Sequence, residues 1–193
     1  MIDFNKHSVK EPHRKLLKLM LCVSLILIPF LFASAQEIDE YLIKSAFLFK
    51  APVFMEWPPN ASYLLPQNNF VIAIIGSDPF NGKLQLAIKA SNIKLKNKNI
   101  SIRTVTKVEE IGSSDIVFIS NSEKYNLTKI LNYVKDKPIL TLSDTRVFID
   151  KGVMINMYIE NNALQFNVNL KSINESKIYV SSKLLVNANK VVK

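Results

Sequence analysis

The chain has 193 residues, with 25 Lys and Arg against 16 Asp and Glu, a formal net charge of +9, one Cys and two His. At 48% apolar it is too hydrophobic for a disordered chain, and it has neither the glycine period of collagen nor the cysteine density of a disulfide-stapled miniprotein. A nucleic-acid binder, a membrane-surface protein and an ordinary globular domain all stay open.

Residues 1–18 hold Lys6, Lys10, Arg14, Lys15 and Lys18 against Asp3 and Glu11, and residues 19–32 are apolar throughout apart from Ser24. Ala33-Ser34-Ala35 then places small residues where a signal peptidase needs them. A basic start, an apolar run and an A-x-A site predict a secretory signal peptide over residues 1–35, cleaved before Gln36. An uncleaved anchor is the alternative, but Pro29, Ser34 and Gln36 shorten the apolar stretch below the roughly 20 residues that span a bilayer. Cys22 follows Met20-Leu21 instead of the small residues of a lipid-attachment site. No stable membrane insertion is expected after cleavage.

The remaining domain, residues 36–193, has 158 residues. Five of the 25 basic and two of the 16 acidic side chains leave with the signal, so 20 and 14 are left and the net charge is +6. His7, His13 and Cys22 leave as well, so the domain has no His and no Cys. A domain of this size buries roughly 68–70% of its unfolded surface and needs no disulfide or metal to fold. Export separates it from nucleic acid, so the excess of lysine reads as solvation or as attraction to an anionic partner or envelope surface.

Without His or Cys the domain has no imidazole base, no Ser-His or Cys-His relay, no thiolate and no Cys- or His-based metal site. Its glycines, at positions 76, 82, 112 and 152, form no phosphate-binding loop. Gly76 to Gly82 could offer free N–H groups to an anion at a helix start. A plain strand-to-helix turn, with Asp78 near the N-cap and Pro79 near the first helical position, accounts for it as well. Ser91-x-x-Lys94 has the spacing of a penicillin-binding site but follows a helix and lacks a K-T-G partner. No carboxylate pair is set out for glycoside chemistry. No cofactor is expected.

In chain order, apolar residues at 38, 42, 46, 49 and 53 predict a helix over 38–56, which Pro52 ends or kinks near Ala51. A Pro, Asn and Ser-rich loop follows over 58–69. Phe70 to Ile75 is a continuous apolar run, as in a strand covered on both faces. Phe80 to Ala90 reads as helix. Ile93 to Val105 alternates as two short strands or one broken one, with Lys94, Lys96 and Lys98 as a row protecting a sheet edge. Asp115 to Ser120 is a second buried strand, Glu109-Glu110 a solvated helical turn, Glu123 to Val134 a helix, and Pro138 to Leu142 a third strand. Val153–Ile159 and Leu164–Leu170 form a hairpin turned at Glu160-Asn161-Asn162, and Lys171 to Val192 is expected to fold back as one or two helices. This order predicts one three-layer α/β/α domain with a mostly parallel, Rossmann-like sheet and a C-terminal antiparallel hairpin. The missing glycine-rich turn separates that architecture from dinucleotide binding.

Eight segments then carry a resemblance. They are Lys44-Ser-Ala-Phe47-Leu-Phe49, Glu56-Trp57-Pro58, Val71 to Phe80, Asp115 to Ser120, Ile139 to Asp144, Gly152-Val-Met-Ile-Asn156, Phe166-Asn-Val-Asn169-Leu170 and Ser181-Ser182-Lys183-Leu184-Leu185. In this order and spacing the chain resembles the YfiR-like family of exported bacterial proteins. The resemblance implies a periplasmic, non-catalytic regulator that represses a membrane diguanylate cyclase by binding its extracytoplasmic domain, lowering cyclic-di-GMP and biofilm formation. The partner could instead be a sensor kinase, and a homodimer is also allowed. The chain departs from its relatives at Pro52, which follows Phe49-Lys50-Ala51 where an Asn-Phe segment is common, and at Asn167, where an acidic residue is common. Redox control through cysteine is closed to it.

At the matched positions Glu56, Trp57, Asn156, Phe166, Asn169, Ser182, Lys183 and Leu184 are the candidate partner or ligand contacts. Each has a plainer reading. Trp57 can anchor the end of the first helix, Glu56 can pair locally, and Asn156 and Asn169 can satisfy buried backbone groups. Ser181 can cap a short helix, or Ser181-Ser182-Lys183 with Leu184-Leu185 can form a partner surface. A small-ligand module using the crevice at the strand ends is the alternative function, and an exported Ser or carboxylate enzyme is the third.

Overall fold

The computed structural model describes residues 39–61 and 69–193. The signal segment expected over residues 1–35 lies outside the described residues, as does most of the loop expected at 58–69. Residues 39–193 form one compact unit. It opens with Asp39, whose carboxylate accepts the Leu42 N–H and starts helix α1 (Glu40–Lys50). A helix running on through Pro52 would lose a backbone bond and clash with the carbonyl four residues back. The chain therefore tightens into a 3-10 turn at Ala51–Phe54 and becomes extended at Met55, with φ −119° and ψ 148°.

There follow β1 (Met55–Glu56), β2 (Phe70–Ile75), α2 (Lys83–Ser91), β3 (Ile100–Val105), β4 (Ile116–Ile119), α3 (Leu127–Val134), β5 (Leu140–Ser143), β6 (Ile155–Glu160) and β7 (Ala163–Asn169). The chain closes with α4 (Leu170–Glu175), β8 (Tyr179–Val180), α5 (Ser182–Leu185) and β9 (Lys190–Val192). Seven strands form one sheet in the order β3-β2-β4-β5-β6-β7-β9. The first five are parallel, β7 is antiparallel to β6, and β9 runs parallel to β7. A separate two-stranded antiparallel sheet joins β1 to β8.

The continuous apolar runs are explained by two cores, one on each face. Ile72, Ile74, Ile116, Phe118, Leu140 and Leu142 point to the face covered by α1 and α2. Their neighbours Ala73, Ile75, Val117 and Ile119 point to the face covered by α3. A strand alternates its side chains between faces, so a strand buried on both is apolar nearly throughout, and the fully buried Thr141 and Ser143 of β5 are hydrogen-bonded through their hydroxyls. The β6–β7 hairpin turns in two residues, with Glu160 opposite Ala163 and Asn161 and Asn162 at φ 50° and 59°. Asn tolerates that left-handed region, which is the geometry a two-residue hairpin requires.

Four expectations need correction. Asp78 and Pro79 do not start α2: the Asp78 carboxylate accepts the Phe80 N–H at 2.8 Å, and the helix begins at Lys83 behind Gly82. Residues 93–99 form no strand pair, because Lys96 and Asn97 take φ 50° and 64° and a tight turn bridges Leu95 to Lys98. Lys94, Lys96 and Lys98 thus form no row along an edge. The helix expected from Glu123 begins at Leu127, after a 3-10 turn at Asn121–Glu123. The C-terminal tail alternates two short helices with β8 and β9 instead of being helical throughout.

Candidate partner-binding groove

The end of α1 builds the first wall of a groove. Once Pro52 has broken the helix, β1 lies beside β8, pairing Met55 with Val180 and Glu56 with Tyr179, and the Ser181 N–H donates to the Phe54 carbonyl at 2.9 Å. The Ser181 hydroxyl then accepts the Lys183 N–H and caps α5. Strand alternation sends Met55 and Trp57 into the core and leaves Glu56 and Tyr179 outward, while on α5 Leu184 packs into the core and Ser182 and Lys183 face outward. The groove has a volume of about 490 Å³ and is lined by Val53, Phe54, Glu56, Lys96, Tyr179 and Lys183, among others. Val53, Phe54 and Tyr179 are 56%, 38% and 67% exposed there.

Lys96 forms the floor. Its ammonium donates to the Met55 carbonyl at 2.5 Å and lies 5.7 Å from the centre of the Trp57 ring. Partial burial lowers the Lys96 pKa, and the nearby Glu56 carboxylate opposes that shift. The groove thus offers aromatic and apolar surface with one anion and two cations around it.

Glu56 and Lys183 line this groove, with Trp57 and Leu184 packed in the core beneath, and Ser182 lies in the first turn of α5. Asn156, Phe166 and Asn169 are elsewhere. Fully buried Asn156 donates to the Ser143 carbonyl at 3.1 Å. Asn169 donates to the Ile149 carbonyl, and its side-chain oxygen accepts the Ser172 N–H to cap α4. Phe166 packs on Phe47 with ring centres 4.9 Å apart. Sequence reasoning missed Val53, Phe54, Lys96 and Tyr179. An exposed Val-Phe pair directly after a helix-ending proline was the available signal for the first two.

A second polar cluster lies at the opposite end of α1. Lys44, 3% exposed, donates to Asp144 at 2.9 Å and also pairs with Glu40. The Tyr41 hydroxyl donates to the same Asp144 oxygen at 2.9 Å. Burial, with the Asp144 charge beside it, raises the Tyr41 pKa. This cluster fixes the start of α1 to the end of β5.

The crevice where neighbouring parallel strands diverge, the usual ligand site of such sheets, is filled. Gly76, at φ +89°, ends β2, and a Cβ there would lie 2.3 Å from the Ser122 hydroxyl and 2.8 Å from Glu123. The Ser77 N–H already donates to Ser122 at 3.0 Å. The Asp78 carboxylate holds the Phe80 N–H, so Gly76 to Gly82 is a loop ahead of α2 in which Asp78 and Pro79 do not take the helix-start roles expected of them.

Residues 41–189 match the profile of the YfiR/HmsC-like family. The chain belongs to that family. YfiR/HmsC-like proteins are periplasmic regulators in cyclic-di-GMP signalling, regulatory and not catalytic. No curated protein matches the chain. Among solved structures it is similar to a conserved domain protein from Vibrio cholerae O1 biovar eltor, with 10% identity and a TM-score of 0.52, over 79% of this chain and 60% of that one. It is also similar to the ABC domain of a Streptococcus pneumonia protein in complex with L-Trp, with 15% identity, a TM-score of 0.49 and coverage of 79% and 62%. The chain thus spans about three fifths of each of these structures. At such identity the Vibrio likeness concerns the fold alone. Among the described residues of this YfiR/HmsC-like chain, no helix is long and apolar enough to cross a membrane.

Proposed function

We infer that this YfiR/HmsC-like chain is exported through its N-terminal signal and binds the extracytoplasmic domain of a membrane signalling protein of the diguanylate cyclase type. It represses that protein by stoichiometric binding to the off state, since a regulator shifts a two-state partner only by its difference in affinity for the two states. The observation that carries this reading is the groove between β1 and β8. Phe54 and Tyr179 stand exposed beside Glu56 and Lys183, which is the aromatic centre with a polar rim of a protein-binding site. The small-ligand alternative is weaker, because Ser122 and Glu123 fill the usual crevice.

Crosslinking in the native envelope is the test. It is expected to capture a membrane protein with a cytoplasmic signalling domain, and deletion of the gene is expected to raise cyclic-di-GMP. Unchanged cyclic-di-GMP and kinase readouts after deletion would sink the reading.

A further inference from the structure

Charge is distributed unequally between the two ends of the sheet. At the C-terminal end of the parallel strands, the connections 76–83, 106–110, 120–126, 144–146 and 160–163 carry six carboxylates and four cations. At the N-terminal end, the connections 89–98, 112–115, 135–139, 150–153 and 170–178 carry nine lysines against Asp136, Asp150, Glu175 and the buried Asp115. The fold brings these last segments together. The 95–98 turn touches β1 through Lys96, β1 pairs with β8, and a small cavity joins Lys135 to Lys151 and Glu175.

Pairing follows the same division except at Lys190, which lies opposite Asn167 near the N-terminal end and is held by Asp150 at 3.2 Å. Lys44, Lys83, Lys129 and Arg146 are held by Asp144, Asp39, Glu109 and Glu160. Lys89, Lys94, Lys135, Lys151, Lys171 and Lys177 are exposed, and none has an ion pair among the described residues. Helix C-termini favour cations and so account for Lys89 and Lys135. They do not account for Lys94, which lies outside any helix, or for Lys171, in the first turn of α4, where a cation is disfavoured.

We propose that this end of the molecule is a docking face for an anionic lipid bilayer. Single-sign charge is spread across several strands, which stand about 4.8 Å apart, and is not gathered in a cleft. Such a broad face complements an anionic headgroup plane better than an acidic peptide, and each lysine near an anionic membrane strengthens binding about fivefold. The inference does not depend on the groove. It goes beyond the regulatory reading in naming a second surface, and the groove opens on the same side.

The test uses the polypeptide from Gln36, which contains the whole compact unit and both of its cores. It is sedimented with vesicles of phosphatidylglycerol and phosphatidylcholine, or of phosphatidylcholine alone. Binding to the anionic vesicles only, weakened by salt, is expected. The variant combining Lys135→Gln, Lys151→Gln, Lys171→Gln and Lys177→Gln should bind them about fivefold more weakly per lysine removed, with unchanged thermal unfolding. A variant of equal charge combining Lys83→Gln, Lys107→Gln, Lys124→Gln and Lys129→Gln should keep its binding to within about twofold. The single variants Lys171→Gln and Lys177→Gln decide the matter if the combined variant does not fold. Equal binding to both vesicle types, equal losses in the two charge-matched variants, or tighter binding to soluble polyglutamate than to anionic vesicles would each overturn the proposal. None of these results involves the signalling partner, so the two readings fail separately.

Discussion

The two ends of α1 use polar groups in opposite ways. At its start, the buried Lys44 and the half-buried Tyr41 and Asp144 are mutually paired, and close by the strand ends are filled by Ser122 and Glu123 against Gly76. At its finish, Lys96 is partly buried, Lys183 is exposed, and Phe54 and Tyr179 stand in solvent. One end uses charge to fix a helix to a sheet; the other leaves charge and aromatic surface available. In this α/β sheet, the surface suited to recognition has therefore moved away from the strand ends where such sheets usually bind.

The largest expected effect falls at the paired end. Lys44→Ala leaves the half-buried Asp144 carboxylate without its cation but with the Tyr41 hydroxyl still donating to it, a loss of about 2–3 kcal/mol. Urea unfolding should show a loss of that size, while molecules that still fold should bind the partner normally. Weakened binding with intact stability would reverse the roles assigned to the two ends. Next comes Tyr179→Ala, at the open end. An exposed aromatic truncated in a binding site costs about 2 kcal/mol of affinity, roughly 30-fold, whereas stability should move by less than about 0.5 kcal/mol. Repression of cyclic-di-GMP in cells and affinity in vitro should fall together, and a destabilised but fully binding variant would contradict the comparison.

The smallest effect concerns Tyr41. Its folded pKa is raised by burial and by Asp144, so the stability it contributes is complete below the unfolded value of about 10 and declines as pH rises above it. Tyr41→Phe should cost about 1 kcal/mol at neutral pH. It should also flatten the fall in melting temperature above pH 10, with identical alkaline profiles counting against the assignment.

Local signals made much of the fold legible. β2 and β4 were visible as unbroken apolar runs because both faces of the sheet are covered. Pro52 marked the end of α1, and Asn161-Asn162 marked the hairpin turn. The groove was half legible: Glu56 and Lys183 could be named, but β1 and β8 are two residues long each and show no period. Lys96 looked like edge protection because its φ-positive turn leaves no pattern in lysine spacing. Lys44 and Asp144 were both visible in matched segments, but 100 residues separate them, and no local rule joins them. Asn156 and Asn169 show the reverse difficulty, since a buried amide satisfying a backbone carbonyl has the composition of a ligand contact.

The β1–β8 ladder has a consequence for when the molecule becomes active. It closes the chain between Met55–Glu56 and Tyr179–Val180, and so long a closure is slow and entropically costly. During synthesis, the strands of the main sheet through β7 all emerge before Tyr179 does. The groove therefore arises last, and a chain cut short before β8 could keep most of its sheet and still present no surface to a partner. In the repressor role proposed above, only finished copies would count, which would protect the signalling circuit from fragments.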